Sequence, residues 1–113
     1  MFQMLGDKFH VAASASTGYN DDKPHLIMGI RAGLEMRVRV DGALAGTTTT
    51  KDMADVSSVG YPMTIGAHAR GDMQQLEGEV YEIVAISSSL PEPQLRALEK
   101  YFGDKFALTL PSP

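Results

Sequence analysis

Glu77, Glu79 and Glu82 stand within one stretch of six residues. Two carboxylates flanking a glycosidic bond can hydrolyse it, one as general acid and the other as nucleophile or base. In a regular strand Glu77 and Glu79 would share a face, and Glu82 would point to the other. A bulge would be needed to bring Glu82 back. Gly78 interrupts the run, and the chain has no tryptophan to form a sugar-stacking floor. These glutamates are expected to be structural acids, and the chain is not expected to be an enzyme.

Loop carboxylates suggest a second chemistry. Calcium is held by six to eight oxygens, commonly loop carboxylates and backbone carbonyls. Asp21, Asp22 and Asp72 are the candidate ligands, and calcium is the only cofactor the residues suggest. No Asp-x-Asp-x-Asp-Gly loop is present, and Asp41, Asp52 and Asp55 read as turn or loop residues. His10, His25 and His68 form no pair at metal-binding spacing, and there is no cysteine to complete a zinc set. His10 and His25 are expected at strand ends. Ser87, Ser88 and Ser89 lack the Gly-x-Ser-x-Gly setting of a hydrolase nucleophile. Tyr19, Tyr61, His68 and Arg70 fall in expected loops. They combine flat faces with polar edges and are the candidate contacts for a sugar or a protein surface.

These residues must be positioned by mostly extended elements. Residues 8–17 alternate loosely, with Phe9, Val11, Ala13 and Ala15 on one face, and read as a strand. Residues 18–24 carry turn chemistry in Gly18, Asn20, Asp21, Asp22 and Pro24. Residues 25–31 read as a buried strand. Residues 34–40 alternate strictly, with Leu34, Met36, Val38 and Val40 inward and Glu35, Arg37 and Arg39 outward. Asp41-Gly42 predicts a tight hairpin into a short strand at 43–45. The threonines from Thr47 to Thr50 read mainly as loop, with a strand fringe. Residues 63–66 predict a short strand and residues 78–87 a longer one, with Val80, Ile83, Val84 and Ile86 as β-branched bulk. Leu95, Leu98, Tyr101 and Phe102 recur at helical period over 93–102, with Gly103 as the expected stop. Phe106, Leu108 and Leu110 form an extended tail that could re-enter a sheet.

The 113 residues fit one domain, 1–113, with 43% hydrophobic and 21% charged residues. The formal net charge of −4, with no Lys/Arg cluster, argues against nucleic acid or an anionic membrane as partner. The absence of cysteine excludes disulfides and thiolate chemistry. No apolar run is long enough to span a bilayer. Residues 1–10 lack the basic and apolar regions of a signal peptide. Many short strands with glycine-rich turns imply an all-β antiparallel sandwich with one short C-terminal helix.

Four blocks over residues 34–110 carry a family resemblance. Val38-Arg39-Val40-Asp41-Gly42 is similar to the hairpin of laminin-G-like jelly rolls, and Met63-Thr64-Ile65-Gly66 to one of their strands. Leu76 through Val84 is similar to the strand that follows. Leu98-Glu99-Lys100-Tyr101-Phe102-Gly103-Asp104-Lys105-Phe106 resembles their terminal helix and tail. The chain thus resembles the C-terminal half of a concanavalin A-like, laminin-G-like domain. Members of that family need a considerably longer chain for two full sheets. The sandwich here is expected to be compact, partial, or completed by another subunit. The resemblance implies a non-catalytic, lectin-like module that recognises a carbohydrate or protein surface in an extracellular, cell-surface or virion setting. The alternative is a homo-oligomeric or assembly subunit, such as a phage virion or tail component completed by its neighbours. A glycoside hydrolase of the same fold is the remote third.

Overall fold

The computed structural model describes residues 2–5, 10–13, 18–49, 65–66 and 76–110. Strands β1 (Phe2–Leu5) and β2 (His10–Ala13) pair antiparallel. Strands β3 (Ile27–Ala32), β4 (Glu35–Val40) and β5 (Ala43–Thr49) form an antiparallel sheet in the order β3-β4-β5. Helix α1 (Glu92–Phe106) follows. The described residues form a small mixed α/β domain built on the three-stranded sheet and the helix. The β1–β2 pair lies against β4 and β5.

Two tight turns set the register of the main sheet. Asp41 and Gly42 both have positive φ, 51° and 83°, as a two-residue type I′ hairpin requires. Aspartate tolerates that conformation better than most residues do. The turn aligns Val40 with Ala43. Between β3 and β4, Gly33 takes φ 61° and Leu34 follows it in the turn, aligning Ala32 with Glu35. Leu34 therefore sits outside the strand and is 47% exposed, contrary to its expected inward place. Strand β5 runs on through Thr47 to Thr49, so those threonines are strand rather than loop. β-Branched side chains suit that conformation. Its register with β4 shifts between Val38 and Arg39, where Ala45 is the extra residue.

Strand β4 is buried along one face and, at Arg39, on the other. Met36, Val38 and Val40 are 0%, 1% and 4% exposed. The opposite face, expected to meet solvent, instead meets α1 at Arg39, which is 7% exposed. Its Nε donates to Glu99 Oε1 at 2.6 Å and its Nη2 to Glu99 Oε2 at 3.1 Å. The same Nη2 donates to the Gly42 carbonyl at 2.8 Å. Glu99 also raises the guanidinium pKa, so Arg39 stays charged. The inward stripe of α1 is Leu95, Glu99, Phe102 and Gly103. Tyr101, expected on that stripe, is 47% exposed.

The helix also runs past its expected stop. Gly103 lies inside it because the tail folds back there: a Cβ at 103 would stand 2.7 Å from Leu110 Cδ1. Termination falls to Ala107, at φ 53°, while the Leu108 N–H donates to the Gly103 carbonyl at 2.9 Å. Leu108 and Leu110 join no strand. Residues 78–87, expected as a strand, take no regular secondary structure, with bends at Gly78 and Ser87, and join no ladder among the described residues. Of the expected strand at 63–66, Ile65 and Gly66 form a bend, with the Leu76 N–H donating to the Gly66 carbonyl at 2.6 Å; residues 63–64 lie outside the described residues.

Removing either member of the buried pair leaves an uncompensated charge, at a cost of about 3–5 kcal/mol. Arg39→Ala and Glu99→Ala are each expected to lower Tm by roughly 10 °C or more. Arg39→Met combined with Glu99→Leu is expected to cost less than either single change, read by thermal unfolding of all three variants.

Candidate functional site

The loop of residues 18–26 brings together two of the residues singled out in the sequence, Tyr19 and Asp21, around His25. Gly18 and Asp22 take φ 109° and 60°, which turns the chain sharply. Asp21 Oδ1 accepts the Lys23 N–H at 3.2 Å, an Asx-type closure. His25 is then gripped from both sides: Nε2 lies 2.7 Å from Asp21 Oδ1, and Nδ1 lies 2.7 Å from Asp41 Oδ2. The Tyr19 ring stands edge-on to the imidazole at 5.5 Å.

Asp41 is shared with the fold itself. It occupies the β4–β5 turn, and its other carboxylate oxygen accepts the Leu26 N–H at 2.9 Å. Its own N–H donates to the Leu26 carbonyl at 2.9 Å. One residue therefore shapes the hairpin, fastens the chain leading into β3, and anchors the imidazole. The sequence marked Asp41 only as a turn residue, because its partner is distant along the chain.

A cleft of about 430 Å³ opens beside this cluster. Its walls are Asp21, Lys23, Pro24, His25 and Asp41 on one side and Ala107, Leu108 and Thr109 after the helix on the other. That volume lies within the usual range of small-ligand pockets. The chemistry here is that of a clamp. Ionised carboxylates only accept, so engaging both at once requires an N–H on each ring nitrogen, the imidazolium form. Neither nitrogen is left to act as a general base. The ring nitrogens point apart, so these carboxylates do not converge on one cation. No group of three or more His, Asp or Glu that could hold a metal ion occurs among the described residues. Asp22 is exposed in the same loop. Tyr61, His68, Arg70 and Asp72 lie outside the described residues.

The three glutamates do not form a pair poised across a bond. Glu77 and Glu79 are exposed. Glu82 Oε2 accepts from Lys105 Nζ at 2.6 Å and Oε1 from the Tyr101 hydroxyl at 3.1 Å. Lys105 first, and then Tyr101, hold the Glu82 carboxyl below its ordinary pKa. A general acid working near neutrality needs the opposite shift.

The hydrogen bonds that His25 donates to Asp41 and Asp21 raise the His25 pKa, and the bond to Asp21 lowers that of Asp21. The His25 contribution to stability is full below its unfolded pKa of about 6.5 and is lost as pH rises through the higher folded value. The Asp21 contribution is present above about 3.8 and fades as pH falls through the lower folded value. The clamp is therefore strongest between these limits. Titration of the His25 ring protons by NMR should give a midpoint above 6.5, moved downward in Asp41→Asn; an ordinary midpoint in the native chain would refute the clamp.

Comparison with known protein families, with curated proteins and with solved structures finds no match to this chain.

Proposed function

We propose that this chain is a non-catalytic binding module, of the laminin-G-like jelly-roll type its sequence resembles, that recognises a protein surface through residues 79–86. The observation carrying this reading is the exposure of Val80, Tyr81, Ile83, Val84 and Ile86, which runs from 46% to 65%. They lie within seven residues of one another on backbone that joins no sheet among the described residues. Contiguous exposed apolar surface of this kind marks interaction sites. Backbone outside any ladder is also open to strand addition, in which main-chain hydrogen bonds give affinity and alternate side chains give specificity.

The segment is not adrift. Tyr81 stacks on Phe106 with ring centroids 6.0 Å apart, and Glu82 is tied to Lys105 and Tyr101 on α1. Holding the segment in place before binding reduces the ordering cost of forming a complex. The Met36, Val38 and Val40 face, by contrast, is already buried within the chain and calls for no partner. The jelly-roll resemblance supports the same reading, since residues 76–84 match a family strand that lies within a sheet. A carbohydrate reading draws on the cleft, where Asp21, Lys23 and Thr109 offer polar groups to a ligand of small size.

Amide exchange separates these readings. In dilute solution the amides of residues 80–86 should exchange orders of magnitude faster than those of Val38 and Arg39, which lie in the ladder. Equal protection in both would mean that the segment is already paired, and the protein-docking reading would fall. Retention on a glycan array that Asp21→Ala abolishes and Ile83→Asp leaves intact would replace it with the carbohydrate reading.

A further inference from the structure

His25 bridges two carboxylates that are held with very different firmness. Asp41 is fastened independently of the ring: its Oδ1 accepts the Leu26 N–H at 2.9 Å, and its own N–H donates to the Leu26 carbonyl at 2.9 Å. Asp21 has no such anchor. Its other hydrogen bond among the described residues comes from the Lys23 N–H, two positions away in the same loop. Residues 18–24 belong to no helix or strand, and among the described residues the one hydrogen bond they share with the chain beyond them is that of His25 Nε2 with Asp21.

The two contacts of the ring cannot both survive the loss of a proton. Each ring nitrogen lies 2.7 Å from a carboxylate oxygen, and each contact is a hydrogen bond only while that nitrogen carries a proton. In the neutral imidazole one nitrogen presents a lone pair instead, which repels a carboxylate oxygen at that distance. The contact that gives way is the one whose carboxylate is free to move, and that is the contact to Asp21. We infer that the pairing of His25 Nε2 with Asp21 is a proton-operated latch: when the imidazolium yields its Nε2 proton to solvent, Nδ1–H stays on Asp41, Asp21 is released, and residues 18–24 move off the cleft.

Asp21, Lys23 and Pro24 face Ala107, Leu108 and Thr109 across that cleft, so release widens it. Among the described residues, the charged and titratable groups around the ring are Asp21 and Lys23 on the loop, Tyr19 edge-on to it, and Asp41 in the β4–β5 turn. The tail beyond α1 presents no titratable side chain there. The two carboxylates meet opposite sides of the ring and belong to no described cluster that could hold a metal ion, so the proton is what joins them. Asp41 first, and then Asp21, raise the ring pKa, which places the transition above about 6.5. The latch is closed below that transition and opens as pH rises through it. It is independent of the docking reading, since it involves none of residues 79–86.

Long-range proton–nitrogen correlation spectra of the ring, recorded with backbone relaxation of the native chain across the His25 titration, test the latch. Below the transition both ring nitrogens should be protonated; above it the neutral ring should be the Nδ1–H tautomer. Over the same transition the order parameters of residues 19–23 should fall from about 0.85, the value of rigid backbone, to below about 0.6, while those of Leu26 and Asp41 stay high. In His25→Gln the order of the loop should not change with pH over that range. An Nε2–H tautomer above the transition would overturn the inference, because it keeps Asp21 and gives up Asp41. Unchanged loop order through the titration of the native ring would overturn it as well, as would the same loosening in a folded His25→Gln chain. The first two readouts use the native chain alone, so they decide the matter even where the variant does not fold.

Discussion

The contact between Arg39 and Glu99 is the constraint on which the rest of the described structure turns. A guanidinium and a carboxylate that are both nearly excluded from solvent are costly to desolvate, and are tolerated only when almost every donor and acceptor is satisfied. Here the satisfaction is geometric. Two guanidinium nitrogens engage both carboxylate oxygens, and one of them also reaches the Gly42 carbonyl in the β4–β5 turn. The planar fork of arginine makes that arrangement directional, so α1 is held at a definite register against the hairpin. Apolar contacts from Leu95 and Phe102 add burial on either side, but they carry no comparable direction.

From that fixed register the two candidate regions follow. The far end of α1 carries Tyr101, Lys105 and Phe106, and these hold Tyr81 and Glu82 of the exposed segment. The tail then reverses at Ala107, and Ala107, Leu108 and Thr109 form one wall of the cleft beside His25. The opposite wall hangs from Asp41, one residue before the Gly42 carbonyl that Arg39 grips. The helix thus links a buried ion pair, a charge-clamped histidine and an exposed apolar segment.

What the sequence made legible follows from locality. The β3-β4-β5 sheet could be read because period-two alternation and turn residues act over a few positions. Asp41-Gly42 has the conformation its chemistry demands, and Met36, Val38 and Val40 occupy the expected buried face. The failures were long-range. Arg39 alternates like a solvent-facing residue, and only the arrival of Glu99, sixty positions later, buries it. Gly103 looks like a helix stop, but its missing side chain serves the return of Leu110. Asp41 and His25 likewise meet through the fold rather than through the chain. Of the candidate site residues, Tyr19 and Asp21 were found by turn chemistry and converge on His25.

Residues 79–86 show the same limit from the other side. Their composition is that of a strand, yet the backbone takes no regular secondary structure. Local preference can set φ and ψ, but a ladder needs a second strand, and no described strand of this chain supplies one. Full burial of a single valine or isoleucine side chain is worth about 1.5–3 kcal/mol relative to exposure, so four that are half-exposed hold several kcal/mol in reserve. Association must offset a rotational and translational cost of the same order or larger. The anchoring of Tyr81 and Glu82 on α1 shifts that balance, because the strand need not be ordered at the moment of contact. Glu82 adds selectivity. With its charge held by Lys105, the centre of the segment is apolar, and the remaining carboxylates sit toward one end. On the proposed docking reading, a partner would present apolar residues at its centre and donors opposite that acidic end, a demand on direction as well as on composition.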